Sequence, residues 1–118
     1  MAIISPEITA QLLANGLLQQ TLKGTPGEMD FRPVVKLHAA ESDAIWLLTE
    51  IDPDDPDIAF GLADLGMGYP EIGSVSLREL EAIGGPLGFK ISADPVFAAS
   101  KPLSAYAREA RQLGRINA

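Results

Sequence analysis

The feature that most constrains the fold is a pair of apolar segments joined by an acidic, proline-containing link. Residues 44–52 and 58–64 are rich in strand-forming residues, and residues 52–57 read Asp-Pro-Asp-Asp-Pro-Asp. Two prolines fix φ in this link, and aspartates can bond back to the backbone, so a turn is predicted. Because so short a link cannot make a parallel crossover, the two segments are predicted to form an antiparallel hairpin.

The first strand of this hairpin is the strongest strand signal in the chain. Strict alternation predicts two faces, since successive side chains of a strand point to opposite sides. One face is predicted to carry Ile45, Leu47, Thr49 and Ile51, and the other Trp46, Leu48, Glu50 and Asp52. The second face therefore begins apolar and ends acidic.

A helix is predicted near the start of the chain. Ser5 is a suitable N-cap, Pro6 suits the first helical position, and Glu7 lies near the positive end of the helix dipole. The pair Asn15 and Gly16 either ends this helix or loosens it. Its apolar face is predicted from helical spacing to contain Ile4, Ile8, Leu12, Leu13 and Leu17.

Further strands are predicted on either side of the hairpin. Residues 20–32 contain two glycines and a proline without any period, so a loop is predicted there. A strand over residues 34–38 should follow it, with Pro33 at its start. After a glycine-containing turn at residues 66–68, residues 69–75 are predicted to form another strand, and residues 89–91 a short one.

Two more helices complete the prediction. Ser76 and Glu79 have the spacing of a capping box, with Val75 and Leu80 in the flanking staple positions. This helix should run from residue 77 to about residue 83 and stop at the Gly-Gly-Pro of residues 84–86. The last helix is predicted to end at Gly114 and to bury Leu103, Tyr106, Ala107, Ala110 and Leu113, with Arg108, Arg111 and Arg115 on more exposed sides.

These elements predict an α+β fold in one domain spanning residues 1–118. The expected architecture is a small antiparallel sheet of about four strands, packed with the N- and C-terminal helices. The short capped helix is expected at one edge of the sheet.

Charge is distributed unevenly along the chain, whose formal net charge is −7. Residues 41–81 contain eleven acidic residues against the single base Arg78, which gives −10, whereas residues 101–118 contain four bases against Glu109, which gives +3. An acidic body repels a phosphate backbone, so direct nucleic-acid binding is not expected, and the basic end is the one candidate contact.

Composition excludes several other classes. The chain has no cysteine and one histidine, His38, so it cannot by itself build a zinc site of nitrogen and sulfur ligands; no metal, catalytic residue or cofactor is predicted. No apolar run reaches the roughly 20 residues of a membrane span. The first residues lack a basic region and a cleavage site, so a cytoplasmic location is expected.

The acidic turn has the residue types of a calcium-binding loop, but it does not have the sequence pattern of one. If Asp52 is position one, position six is Asp57 rather than glycine and position twelve is Ala63 rather than glutamate. Glu50 and Glu71 lie on predicted neighbouring strands and have the chemistry of an acid–base pair. A metal-dependent hydrolase that uses Glu50, Asp52 and Glu71 is therefore kept as the enzymatic alternative.

A series of short motifs in a fixed order runs along the chain: Trp46, Thr49–Glu50, Asp52–Pro53, Phe60–Gly61–Leu62, Glu71–Ile72–Gly73, Ser76–Leu77, Glu79–Leu80, Gly85–Pro86–Leu87–Gly88 and Pro102–Leu103–Ser104. Through these motifs the chain resembles the small plasmid- and phage-borne proteins known as domain of unknown function 2958. The resemblance covers nearly the whole chain, although residues 21–31 and the residues after Arg108 depart from it. Such proteins occur near antirestriction and conjugation genes, so the resemblance implies an accessory or anti-defence role and assigns no activity to particular residues.

The favoured hypothesis is a non-enzymatic protein whose acidic hairpin face meets a basic protein surface, where complementary charge speeds encounter. A nuclease or restriction subunit that presents its DNA-binding groove is one such partner. No oligomeric state is predicted. The residues predicted to bind the partner are Trp46, Glu50, Asp52, Asp54, Asp55, Asp57 and Glu71.

Overall fold

The chain forms an antiparallel sheet between helices, and the computed structural model describes residues 4–40, 42–83 and 91–118. Within these ranges, five strands lie in the order β4-β3-β2-β1-β5, and every neighbouring pair is antiparallel. The α+β prediction is confirmed, and the short β5 makes the fifth strand. The elements are α1 (Pro6–Leu22), β1 (Val35–Ala39), β2 (Ile45–Ile51), β3 (Ile58–Asp64), β4 (Glu71–Ser76), α2 (Leu77–Ile83), β5 (Ile91–Ala93) and α3 (Leu103–Leu113).

Helix α1 begins where the sequence predicts. The Ser5 hydroxyl accepts a hydrogen bond from the Ile8 N–H at 3.2 Å, and Pro6 occupies the first turn. The helix ends at Leu22, so the predicted loop begins at residue 23 and not at residue 20.

The pair Asn15 and Gly16 neither ends nor distorts this helix, because it is where α1 meets β2. A Cβ on Gly16 would lie 1.8 Å from the carbonyl oxygen of Ile51, so only glycine permits this close approach. Beside it, the Asn15 amide donates to the Thr49 carbonyl at 2.9 Å. Both residues therefore fix the helix to the sheet.

The sheet separates two apolar clusters. The first lies under α1 and α2, and its buried members are Ile4, Leu12, Val35, Leu37, Ala39, Ala44, Trp46, Leu48, Ile51, Ala59 and Leu80. The second lies under α3, and its buried members are Leu47, Leu62, Leu103, Tyr106, Ala107, Ala110 and Ile116. Helix α2 thus starts at the edge strand β4 and packs Leu80 into the first cluster.

Strand β2 does not keep a strict alternation. Its register with β3 pairs Leu48 with Gly61 and then Glu50 with Phe60, which leaves Thr49 as the extra residue of a β-bulge. Thr49 is buried, and its hydroxyl donates to the Phe60 carbonyl at 3.2 Å.

The bulge exchanges the two faces of the strand at its acidic end. Ile51 packs with Trp46 and Leu48 in the first cluster, whereas strict alternation predicted it beside Leu47. Glu50 moves in the opposite sense, onto the α3 face. The two-face prediction is therefore right before Thr49 and wrong after it.

The start of α2 and the end of α3 agree with the sequence prediction, whereas β4 begins at Glu71 rather than at residue 69 and the described β5 runs over Ile91–Ala93 rather than residues 89–91. Gly114 adopts φ 73° and donates its N–H to the Ala110 carbonyl at 2.7 Å, which ends α3 as predicted. The predicted stop of α2 at residues 84–86 lies outside the described residues. None of the described helices combines the length and the apolar character that a bilayer crossing needs.

Candidate acidic binding site

The hairpin turn presents three exposed carboxylates in a fixed geometry. Asp55 N–H donates to the Asp52 carbonyl at 3.2 Å, and Asp54 N–H donates to the Asp52 carboxylate at 2.8 Å. Asp57 N–H reaches the Asp55 carboxylate at 3.3 Å. The aspartates bond back to the backbone as predicted, and Asp52, Asp54 and Asp55 remain exposed.

Asp57 is used differently, because it caps helix α2. Its Oδ2 accepts a hydrogen bond from the Ser76 hydroxyl at 2.6 Å, and its Oδ1 accepts from the Arg78 N–H at 2.8 Å. The Arg78 Nε lies 3.6 Å from the same carboxylate. The Ser76 hydroxyl bond, followed by the Arg78 N–H bond, lowers the pKa of Asp57. Asp57 is therefore partnered within the chain.

The predicted capping box is present in part. The Ser76 hydroxyl accepts from the Glu79 N–H at 3.2 Å, as the sequence indicates. The carboxylate that Ser76 itself bonds belongs to Asp57, which arrives from the hairpin turn and is 19 residues away along the chain.

Beside the turn, a cleft of about 320 Å³ lies between the end of α1 and the β2–β3 hairpin. Lys23 is the cation that lines it. Its acidic lining residues are Glu28, Glu50, Asp52 and Asp54. We call this the acidic cleft.

Glu50 is the partly buried acid of the acidic cleft. Desolvation by burial raises its pKa, and the negative charge of Glu28 acts in the same direction. The Thr49 hydroxyl, 3.4 Å from the carboxylate, and the charge of Lys23 oppose this rise. Burial is therefore the main cause of the raised pKa of Glu50, and it outweighs the Thr49 hydrogen bond and the Lys23 charge.

One wall of the acidic cleft is a row of side chains that crosses three strands. The register aligns Glu50 of β2 with Phe60 of β3 and Phe60 with Ser74 of β4, so the three share the α3 face of the sheet. The Lys23 ammonium lies 5.8 Å from the centre of the Phe60 ring. Opposite, the Gln20 amide donates to the Asp54 carboxylate at 2.8 Å.

The cleft acids carry uncompensated charge. Within residues 4–40, 42–83 and 91–118, the ion pairs are Lys36–Asp94 at 3.9 Å, Arg78–Asp57 at 3.6 Å and Lys101–Glu109 at 3.0 Å. None of these pairs involves an acid of the cleft. Four carboxylates therefore meet solvent together at one end of the molecule.

Two residues predicted for the partner-binding face lie elsewhere. Trp46 is 4% exposed and packs in the first cluster, which takes it out of any accessible surface. Glu71 is exposed but pairs with Ala63 at the far end of β3, about 17 Å from the turn at the usual rise per residue. Of the residues predicted to bind the partner, the candidate site therefore contains Glu50, Asp52, Asp54 and Asp55, whereas Trp46 and Glu71 lie elsewhere and Asp57 is bonded within the chain.

The carboxylates of the hydrolase alternative do not converge. Glu50 and Asp52 line the acidic cleft, whereas Glu71 lies two strands from Glu50 and on the opposite face of the sheet. The described part of the chain contains no group of three histidine, cysteine, aspartate or glutamate side chains that could hold a metal ion.

His38 lies in a second cleft, of about 700 Å³, at the other end of the sheet. Lys36 and Arg115 also line it, together with Asp94. Lys36 is already bonded there, to the Ala118 carbonyl at 2.7 Å and to Asp94. On α3, Arg108 and Arg111 are exposed as predicted, whereas Leu113, predicted on the apolar side of the helix, is 48% exposed.

Four residues that line the acidic cleft were not predicted from the sequence to lie there: Lys23, Glu28, Phe60 and Ser74. Residues 23 and 28 lie in the segment interpreted as a loop without pattern, and only the tertiary fold brings them to β2. The alternation of β3 does place Phe60 and Leu62 on one face. The position of Phe60 beside β2 could therefore have been predicted from cross-strand pairing.

Residues 3–117 match the family model described as "Protein of unknown function (DUF2958)". No match is found among curated proteins or among solved structures.

Proposed function

We propose that this chain, which belongs to the DUF2958 family of proteins of unknown function, is a non-enzymatic accessory protein that binds a basic surface of a partner protein. The observation that supports this is the acidic cleft. Glu28, Glu50, Asp52 and Asp54 line one cleft beside the exposed Asp55, and none of them forms an ion pair within the described residues.

Glu50 is the acid of the cleft that a partner's cation would stabilise most directly. Its burial has removed water from a charged group, and the raised pKa records that cost. A lysine or arginine of a partner would replace the lost solvation by a direct ion pair. The exposed Asp54 and Asp55 would attract the same partner from a distance, because complementary charge raises the rate of encounter.

The mobile-element setting implied by the family resemblance narrows the partner. A plasmid or phage gains from a cytoplasmic protein that blocks a defence nuclease, and the DNA-binding groove of a nuclease is a concave basic surface. An acidic tip on a folded domain is complementary to such a groove. The proposed role is therefore anti-defence, by occupation of a DNA-binding surface.

Charge reversal at the turn tests the proposal. The double variant Asp54→Lys/Asp55→Lys is compared with wild type in pull-downs from nuclease-treated host lysate. The control variant Glu7→Lys/Asp43→Lys has the same net charge but changes exposed acids of α1 and of the β1–β2 turn. We expect the turn variant to lose its basic protein partners and the control variant to keep them.

Salt provides a second readout, since interactions between exposed charges weaken as ionic strength rises. Capture by wild type should fall steeply with added salt. If the turn variant captures the same proteins as wild type, or if both variants lose them equally, the acidic cleft is not the binding surface and the proposal fails.

A further inference from the structure

Strand β4 is the outer strand on one side of the sheet, and its backbone geometry shows which groups point outward. The Leu77 N–H donates to the Asp57 carbonyl at 2.8 Å, in the same register as the rest of the β3–β4 ladder. Directly opposed residues of an antiparallel pair alternate between bonded and non-bonded. Gly73 is therefore bonded to β3, and the N–H and C=O groups of Ile72 and Ser74 point away from it.

Strand β4 has few of the features that usually prevent an edge strand from pairing with another chain. Natural edge strands often carry lysine, proline or an inward-pointing charge. Here Pro70 and Glu71 lie at the start of β4, and residues 72–75 contain no charge and no proline. Ile72 and Ser74 are exposed, and a Cβ built on Gly73 meets nothing within 4 Å. Among residues 4–40, 42–83 and 91–118, no strand pairs with this edge of β4.

The open edge is continuous with the acidic cleft. Ser74 lines the cleft and aligns with Phe60 and Glu50 on one face of the sheet. Neighbouring strands lie about 4.8 Å apart, so a residue on a strand added beside Ser74 would lie roughly 14 Å from the Glu50 backbone. A long basic side chain covers about half of that distance across the small Ser74, so its positive charge would lie beside the acids of the acidic cleft.

The other half of the edge is apolar. Ile72 lies on the same face as Ser74, two residues away, and is 39% exposed. Tyr69 and Met67, in the loop that leads to β4, are 80% and 69% exposed. Clusters of exposed apolar side chains are typical of interaction surfaces, and these three lie within residues 67–72. The edge thus changes from acidic to apolar along its length.

We infer that β4 binds an extended segment of the basic partner as an additional antiparallel strand. A lysine or arginine of that segment lies opposite Ser74 and extends across it towards the acidic cleft, and an apolar residue two positions later packs on Ile72. This inference rests on the proposed function and specifies how the partner is recognised. Main-chain hydrogen bonds supply affinity in such a complex, and alternate side chains supply specificity.

A designed peptide tests the inference without knowledge of the partner. The probe is a blocked, dye-labelled peptide with the sequence Thr-Val-Thr-Arg-Thr-Leu-Thr-Val, and its control carries glutamate in place of arginine. Binding is measured by fluorescence anisotropy. We expect the arginine peptide to bind wild type and the glutamate peptide to bind at least about tenfold more weakly.

The variant Ser74→Pro removes an outward N–H and leaves the bonds to β3 in place, whereas Ser74→Ala keeps that N–H. We expect about a tenfold loss of peptide affinity for Ser74→Pro and little change for Ser74→Ala. Backbone amide shifts of Ile72 and Ser74 in wild type provide a readout that needs no variant to fold. These shifts should move on addition of the arginine peptide.

The two proposals fail differently. If Ser74→Pro and Ser74→Ala bind the peptide equally, if the two amides do not shift, or if wild type does not bind the arginine peptide, the inference is overturned. The proposed function stands in that case, provided that charge reversal at Asp54 and Asp55 still abolishes capture of the partner. If charge reversal has no effect on capture, both proposals fall.

Discussion

The Asp64 carboxylate accepts a hydrogen bond from the backbone N–H of Ile116 at 2.9 Å, and so ties the residues after α3 to the end of β3. The other carboxylate oxygen accepts from the Gly66 N–H at 2.8 Å. Asp64 is 2% exposed and Ile116 3% exposed. The bond is therefore shielded from water, and it holds Ile116 in the second cluster.

Replacing Asp64 by alanine should lower the free energy of unfolding by about 2–3 kcal/mol, because the Ile116 N–H would be left buried without an acceptor. Urea unfolding measures the loss, and hydrogen exchange at the Ile116 amide should accelerate more than exchange in β2. Asp43→Ala, in the exposed β1–β2 turn, is the control and should change stability by less than about 0.5 kcal/mol. Equal effects of the two variants would contradict the role assigned to Asp64.

Asp57→Asn should make the protein less stable at pH 7. The Ser76 and Arg78 bonds favour the charged carboxylate and depress the pKa of Asp57 in the folded state below its unfolded value of about 3.9. The contribution of the Asp57 carboxylate to the free energy of unfolding is therefore complete above its unfolded pKa, and it is lost as the pH falls through the folded pKa. The urea midpoints of wild type and variant should differ at pH 7, and the difference should begin to shrink only as the pH falls below about 3.9.

Two further variants separate the cap from the turn. Ser76→Ala removes the hydroxyl that Asp57 bonds and should lower the midpoint at pH 7 in the same way as Asp57→Asn. Asp55→Asn changes an exposed turn acid and should have a smaller effect. If Asp57→Asn stays less stable than wild type by the same amount at low pH, the carboxylate charge is not the cause.

Gly16→Ala should destabilise the protein although alanine is the better helix former. The propensity gain is about 1 kcal/mol, but the new Cβ would lie 1.8 Å from the Ile51 carbonyl oxygen and force α1 away from β2. We expect a net loss of about 1–3 kcal/mol, measured by urea unfolding. Gly73→Ala is the matched control, since its Cβ would meet nothing within 4 Å. A stabilised Gly16→Ala variant would show that α1 and β2 are not in close contact.

Gly16 also illustrates what the sequence could predict and what it could not. Helix starts, the hairpin and the end of α3 depend on residues close together in the chain, such as Ser5 and Gly114, and these were predicted. Whether Gly16 ends a helix or allows close packing depends on a strand some 35 residues away. Local propensity carries no information on that contact.

The acidic site was predicted in part for the same reason. Turn chemistry alone places Asp52, Asp54 and Asp55 on one loop. The bulge at Thr49 shifts the alternation of side chains by one residue and so moves Glu50 to the α3 face. No residue type in β2 indicates that a bulge is present. The use of Asp57 as a cap required the register between β3 and β4, so a residue predicted for a partner proved to bind its own chain.

Glu50→Gln should stabilise the folded protein at neutral pH and weaken its binding to the basic partner. Burial raises the pKa of Glu50, so folding favours the protonated form. The stability that this group contributes is full below its unfolded pKa of about 4.3 and is lost as the pH rises through the folded pKa. A neutral glutamine removes that loss.

The variant should melt at a higher temperature than wild type at pH 7 and at the same temperature near pH 4. Asp54→Asn, in the exposed turn, is the control and should show no comparable gain. A lower melting temperature for Glu50→Gln at pH 7 would mean that Lys23 already stabilises the Glu50 carboxylate. A partner's cation would then gain little from binding in the acidic cleft.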